Sequence, residues 1–488
     1  MRVPIPLFAA ALALVAIGAT AAATEPGSGG GALPVVAGGS TGDVVRASVV
    51  CPDLRFAPGA VSTTVAVGVS NPAPGTVTAV AAAGKDRTGT PVLSGGQQRQ
   101  IYSGSITGPL ELRAEGAPAG SLVAEQAARA PVTADRGWSE ARCEPPRAEQ
   151  WFVGAATVPG ATPVLELVNP TDTLAVVDVA VYTPDGRSAT NLAHNVSLAA
   201  HTVAKFNLTD LAPNAAVTAV HVTATTGRVS AALLDTRTSG QTFLGTDWLP
   251  VTQLAPSQLI TGIPGAIVGA TPQRFLVLAG AGNADARVQV QVIGPTGTFV
   301  PVGLESIAVP AGTVQVVELS KALGTNSGGV IVTSKDPTVP IVANVIVDAP
   351  STKNQPIREI AYLGPNSPLQ GPGIIPLVYT AGDLDSLLAV SAPKEDVSVL
   401  LSMTNAAGAV IQQRLDIQGG TTFSMSLRAA GAADGSSATL TPFSTTTPVY
   451  ASRMLQENGA LGPLISAYGV VGAPSQQPIP RVVEQPLS

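Results

Sequence analysis

Charge is scarce in this sequence: 12% of its 488 residues are Asp, Glu, Lys or Arg, and the net charge is −6. A nucleic-acid binder needs clustered Lys and Arg to displace counterions. No such cluster occurs, so that class is excluded. Histidine is nearly absent, with only His194, His201 and His221. They form no HxH, HExxH or Cys/His pattern, so no metal site is expected. There is no GxSxG elbow to present a nucleophile. Gly27-Ser28-Gly29 precedes no helix, so a phosphate cradle fails on context. Aromatics make up 4%, thin for a sugar-cleaving cleft. Helical periodicity is almost absent. Beyond the N-terminus every apolar run is broken by Gly, Pro or a polar residue, so no second membrane span is read.

What the chain does contain is small aliphatics, 51 Gly and 42 Pro, with 45% hydrophobic residues overall. A disordered chain would carry more charge and fewer aliphatics. The sequence also repeats itself. Leu165-Glu166-Leu167, Pro184-Asp185-Gly186, Thr202-Val203 and Leu208 recur 111 residues later as Leu276-Val277-Leu278, Pro295-Thr296-Gly297, Thr313-Val314 and Leu319. Asn71-Pro72 precedes Asn169-Pro170, and Gly420-Thr421 follows Gly312-Thr313, so two more diverged copies flank this pair. A shared period of strand, turn and strand means a tandem array of one domain.

Within the second copy, Val164–Val168 is a β-rich run stopped by Asn169-Pro170. Val176–Tyr182 follows, then a Thr183-Pro184-Asp185-Gly186 turn. Thr202–Leu208, Val217–Thr223 and Arg228–Leu234 complete the unit, with a helical turn expected near Leu208 and again at Ser320–Leu323. Such short strands predict about four antiparallel β-sandwiches, immunoglobulin-like in architecture. The alternative is a β-propeller with two blades per period. The expected limits are 44–145, 146–252, 253–357 and 358–472, with a disordered tail at 473–488. Leu165, Leu276 and, by the same step of 111, Leu387 are expected to be buried in equivalent strands.

Residues 1–25 read as a secretory signal or a retained membrane anchor, and 26–43 as a Gly-rich linker. Either reading takes the rest of the chain outside the cytoplasmic membrane, with membrane contact only through the N-terminal segment. The two cysteines, Cys51 and Cys143, flank the first copy. In an exported chain an even count predicts a bridge, with Cα atoms roughly 4.4–6.8 Å apart.

No catalytic, cofactor-binding or metal-binding residue emerges. Asp235 and Asp348, at similar strand ends, read as turn formers. Trp138, Trp151 and Trp248 are placed in connectors; they plug domain joints or contact a ligand, and the 110-residue spacing of Trp138 and Trp248 favours joints. The Cys51-Pro52 pair, Cys143 followed by Trp151-Phe152-Val153-Gly154, and Asn169-Pro170 closing a Val-rich strand resemble an uncharacterised family of secreted or membrane-anchored actinobacterial proteins with tandem β-rich repeats. The resemblance implies export and envelope residence and hands over no activity. The expected function is a non-enzymatic envelope scaffold, a rod of sandwiches with envelope proteins or cell-wall glycan as partners. The alternative is a carbohydrate-binding module or carbohydrate-active enzyme of the cell wall.

Overall fold

Val- and Ala-rich runs punctuated by Gly and Pro favour extended backbone over helix, and the computed structural model is built almost wholly of strands. It describes residues 41–53, 62–70, 73–94, 97–102, 104, 108–130, 136–240, 242–349, 358–472 and 476–478. The chain divides into two compact units. One comprises residues 1–42 and 477–488, nearly all outside the described residues. The expected signal or anchor and most of the linker and tail therefore fall outside them too. The other, residues 43–476, holds four modules. No helix among the described residues is long and apolar enough to cross a membrane.

The modules' strands run from Arg46 to Arg142, Glu149 to Leu249, Ser257 to Leu363 and Gly373 to Val470. Each has eight principal strands. In the second they are Glu149–Val153, Val164–Asn169, Ala175–Thr183, Gly186–Arg187, Thr202–Asn207, Ala219–Thr226, Ser230–Ser239 and Thr242–Leu249. All four modules pair them in the same two antiparallel sheets, ordered 1-6-3-4 and 5-2-7-8. Each sheet draws strands from both ends of the module, which makes sandwiches; a propeller blade is a sheet of successive strands. The one-turn helices form at Leu208–Leu211 and Ser320–Leu323. The turn before the fifth strand needs a left-handed residue, supplied by Gly312 (φ 69°) and Gly420 (φ 76°) and, less comfortably, by His201 (φ 55°).

The two sheets differ in what they bury. The third strand of module two, AVVDVAVYT, alternates buried and half-buried residues, as expected of a sheet with one face on the core. The 5-2-7-8 sheet is covered on both faces. In module three, Leu276 and Leu278 line its own core, whereas Val277 and Ala279 join the core of module two. In module two, Leu165 and Leu167 face inward, and Val168 meets Val50 and Ala82 of module one. Each module thus lays the back of one sheet against its predecessor.

This rule closes on itself. On the back of the corresponding sheet of module one, Ala127 and Trp138 pack with Leu455 and Leu464 of module four. The eighth strands Gly137–Arg142, Thr242–Leu249, Glu359–Leu363 and Gly462–Val470 contact one another in cyclic order around the centre. Four heterologous contacts therefore complete a ring within one chain, in place of the expected rod.

The register of the fourth copy corrects one expectation. Leu388 is the buried counterpart of Leu165 and Leu276; Leu387 is half-buried and leans on the core of module three. One residue gained between the copies turns the side chain to the opposite face. Cys51 and Cys143 are bridged, with Cα atoms 4.2 Å apart, just under the expected window. The bridge ties the end of the first strand to the segment leaving the eighth. Val50 and Glu144 exchange backbone hydrogen bonds beside it.

Candidate functional site

Few charges exist, and many of those that do are buried at the joints. Asp247, on the eighth strand of module two, is fully buried and touches the other three modules. Its carboxylate accepts from the Ser466 hydroxyl at 2.8 Å, the Glu140 N–H at 3.2 Å and the Tyr362 N–H at 3.4 Å. Burial pushes this carboxyl well above the usual range.

Each joint carries its own polar set. Between modules two and three, Tyr362 donates to Asp235 at 2.6 Å, and Arg237 bonds Asp235 at 2.9 Å and the Gly154 carbonyl at 2.8 Å. Between three and four the joint is made of hydroxyls and amides. Ser391 meets Thr422 at 2.8 Å, Thr422 donates to the Ile293 carbonyl at 3.0 Å, and Asn366 donates to the Ala451 carbonyl at 3.0 Å. Between four and one, Arg453 bonds Glu140, and Tyr468 donates to Glu125. Arg136 donates to the Gly462 and Pro463 carbonyls, each at 2.7 Å.

At the joint of modules one and two, Glu166 accepts the Asp53 N–H at 3.0 Å and lies 3.7 Å from Lys205 Nζ. Burial raises the Glu166 carboxyl from 4.5 to about 7. The folded state therefore holds a proton between pH 4.5 and 7 that the unfolded chain has lost. This group's contribution falls as pH rises through that window and is flat above it. Glu166→Gln is expected to remove that contribution, on the order of 1–3 kcal/mol. Melting temperatures of both proteins across the window check it: the variant should gain on the wild type as pH rises. A difference independent of pH would refute the assignment.

The eighth strands leave the centre toward one end of the ring, where they surround a cavity of about 630 Å³. All four modules contribute to its wall, through Arg142, Trp248, Gly364 and Tyr468 among others. Of its lining, Glu140, Trp248 and Tyr468 are buried, and Gln253, Ser257, Ser367 and Lys394 are exposed.

The residues singled out in the sequence are scattered. All three tryptophans lie in strands, not connectors. Trp138 donates to Glu457 at 3.2 Å at the joint of modules one and four. Trp151 is buried in module two, stacked on His221 with ring centroids 3.9 Å apart, and donates to Glu149. Trp248 lines the cavity, and its indole N–H has no partner. Trp138 opposes Arg129 near its hairpin turn and Trp248 opposes Leu234 far from its own, so the 110-residue spacing is not a structural equivalence. His194 and His201 pair with Asp178 and Asp172 at 2.6 and 2.8 Å. Asp348 pairs with Arg358. Among the described residues no group of three or more His, Cys, Asp or Glu could hold a metal ion.

Asp247, Glu140, Arg453 and Arg136 were missed. For Asp247 and Arg453 a signal was available: lone charges inside apolar β-runs of a chain poor in charge are candidates for buried pairs.

No curated protein matches the sequence. Among solved structures, the Thermotoga maritima 1070 crystal structure is 10% identical, covering 22% of this chain and 96% of its own, with a TM-score of 0.20. A tetra-tandem repeat from the extending region of a large adhesion protein is 10% identical over 88% of this chain and 100% of its own, at TM-score 0.09. A Streptomyces avermitilis α-L-rhamnosidase complexed with L-rhamnose is 10% identical over 82% and 54%, at TM-score 0.12. Scores this low carry no argument about fold or function. One family model does match, from residue 81 inside module one to residue 428 inside module four, and by that match the chain belongs to DUF5719, a family of unknown function.

Proposed function

We propose that this chain is a non-enzymatic scaffold of the cell envelope, exported across the cytoplasmic membrane, presenting its surfaces to envelope proteins or to wall glycan. The observation that carries the reading is how the buried ionisable groups are used. Asp247, Asp235, Glu125, Glu140, Arg237 and Arg453 bond across or beside module joints. Groups that could do acid–base chemistry thereby serve closure of the ring. The Cys51–Cys143 bridge supports a place outside the reducing cytosol. The sequence pattern at residues 1–25 and the resemblance to secreted actinobacterial proteins point the same way.

The test uses the full ectodomain. Immobilised protein is expected to retain an envelope protein or wall glycan. The same preparation is expected to turn over no glycan, peptide or ester. Turnover abolished by one substitution that leaves the melting temperature unchanged would overturn the reading.

A further inference from the structure

We infer that the fourth strand of module four pairs edge to edge with the same strand of a second copy of this chain, joining two rings about a two-fold axis. The contact goes beyond the scaffold reading and does not depend on it. Val410–Ile417 has eight residues and ends its sheet, and no strand among the described residues covers its outer edge. The fourth strands of the other modules are blunted. Gly186–Arg187 and Thr298–Phe299 have two residues each. Thr90–Ser94 carries Pro91 and pairs with its neighbour through a register shift. Such devices keep sheet edges from pairing with other chains. Module four uses none of them. Its strand holds no Pro or Lys, and its register with Val397–Thr404 runs unbroken.

Two hydrogen bonds show which backbone groups face outward. At the hairpin end the Asn405 N–H donates to the Ala409 carbonyl at 3.0 Å. The odd-numbered residues of the strand therefore bond back to its neighbour, and the even-numbered ones point away. Ser398, opposite Asp416, agrees: its carbonyl accepts the Phe443 N–H at 3.0 Å, on the far side. Val410, Gln412, Arg414 and Asp416 thus present N–H and C=O groups at the open edge. Their side chains share one exposed face. Arg414 and Asp416 are 60% and 65% exposed and 2.8 Å apart. The Arg414 guanidinium lies 5.1 Å over the exposed Phe443 ring.

Symmetry and charge choose the occupant and the register. Bonded and non-bonded pairs alternate along an antiparallel ladder, so a two-fold axis passes through a residue, never between two. An axis at Arg414 or Asp416 sets like charges face to face, and one at Gln413 sets Asp416 against Val410. Only an axis at Leu415 sets each charge against its opposite: Arg414 meets Asp416 of the second copy, twice, with Gln413 against Ile417. Opposite charges facing each other across strands are favourable, and like charges are not. These two residues also carry outward backbone groups, so each charge pair coincides with a hydrogen-bonded pair. Two arginines and two carboxylates then close into a ring of alternating sign. Beyond Ile417 the chain turns to Gly420, whose carbonyl accepts from Thr298 of module three at 2.7 Å, so the ladder spans Gln413–Ile417 in each copy. That is far fewer than the roughly 20–30 residues a side of a standard interface, and the dimer is expected to be weak and reversible.

Sedimentation of the full ectodomain across micromolar concentrations tests it, and a reversible dimer is expected. Arg414→Asp gathers four acids at the axis, and Asp416→Arg four cations. Each is expected to weaken the dimer at least about tenfold, that is about 1.4 kcal/mol, with the melting temperature unchanged because both sites are exposed. Two further results are specific to this register. The double variant Arg414→Asp with Asp416→Arg should dimerise again, and an equimolar mixture of the two single variants should form mixed dimers. Amide exchange reads the edge itself: the Arg414 and Asp416 N–H groups should slow as wild-type concentration rises, and should not do so in either single variant. If a single variant melts lower, that wild-type concentration dependence decides. A monomer at every concentration, a dimer indifferent to both reversals, or a mixture that stays monomeric would overturn the pairing. Protection of these amides only by a segment of another protein would overturn the second copy as occupant. None of these outcomes bears on the scaffold reading.

Discussion

Leu165→Asp is expected to unfold module two and to carry the joint with module three with it. Leu165 is fully buried, flanked in its sheet by Phe206 and Leu233. Its core cluster does not stop at the module boundary: Val277, Val314, Ile346 and Tyr362 of module three belong to it. The substitution removes a large apolar side chain and buries a carboxylate without a partner. Losing the leucine alone costs about 2–5 kcal/mol, and the unpaired charge adds several more before it protonates. The sum exceeds the effect of nearly all single substitutions. Circular dichroism on heating should show the first loss of strand signal at a much lower temperature, or none to lose at room temperature. The fourth module supplies the control for register. Leu388→Asp should be as severe, and Leu387→Asp, at a half-buried joint position, clearly milder. A Leu165→Asp protein that melts like wild type would show the strand register to be wrong.

That control exists because the sequence carried the fold better than its joints. The period, the strands, the one-turn helices and the cysteine bridge were all legible, each being a local pattern or a compartment argument. The left-handed turn was legible too: His201 falls where Gly312 and Gly420 stand, and all three have positive φ. Counting failed where connectors differ in length. In module one the seventh strand ends at Ala130 and the eighth starts at Gly137; in module two the same turn runs from Ser239 to Thr242. The same spacing then lands on different ends of the hairpin, which is how Trp138 and Trp248 came to look alike.

Ring closure was harder to see for a physical reason. A run such as Phe275–Gly280 is apolar on both faces, which marks a sheet covered twice. It does not name the cover. The partners across the last joint lie over 300 residues apart in sequence, as with Glu140 and Arg453. Nothing local pairs them. The cavity inherits this: Arg142, Trp248, Gly364 and Tyr468 in its wall come from four modules and meet only when the ring forms.

Arg453→Met is expected to break the closure between modules four and one. Arg453 is fully buried on the seventh strand of module four. Its guanidinium bonds Glu140, lies 3.7 Å from Glu125 and donates to the Leu377 carbonyl at 3.2 Å. It also sits over the rings of Tyr468 and Tyr379, at 4.6 and 5.5 Å. Two acids thus share one cation. Burial pushes both carboxyls up, Glu140 to about 7, against the pull of Arg453. Removing the cation leaves the two acids facing each other in a dry joint. Breaking a buried pair in this way costs about 3–5 kcal/mol. The loss should depend on pH with a definite sign. Without Arg453 the folded-state carboxyls rise further, so the folded protein favours the protonated acids more strongly than before. The deficit should therefore be largest well above pH 7 and shrink as pH falls toward about 7, the wild-type value for Glu140, below which both folded proteins hold that proton. Replacing all three charges, as Arg453→Met with Glu125→Leu and Glu140→Gln, should recover most of the stability, because no unpaired charge remains. Small-angle scattering separates the possible states: an opened ring is larger than the closed one, yet keeps the strand signal of its modules. A single variant as compact and as stable at pH 8 as wild type would mean that this joint does not hold the ring shut.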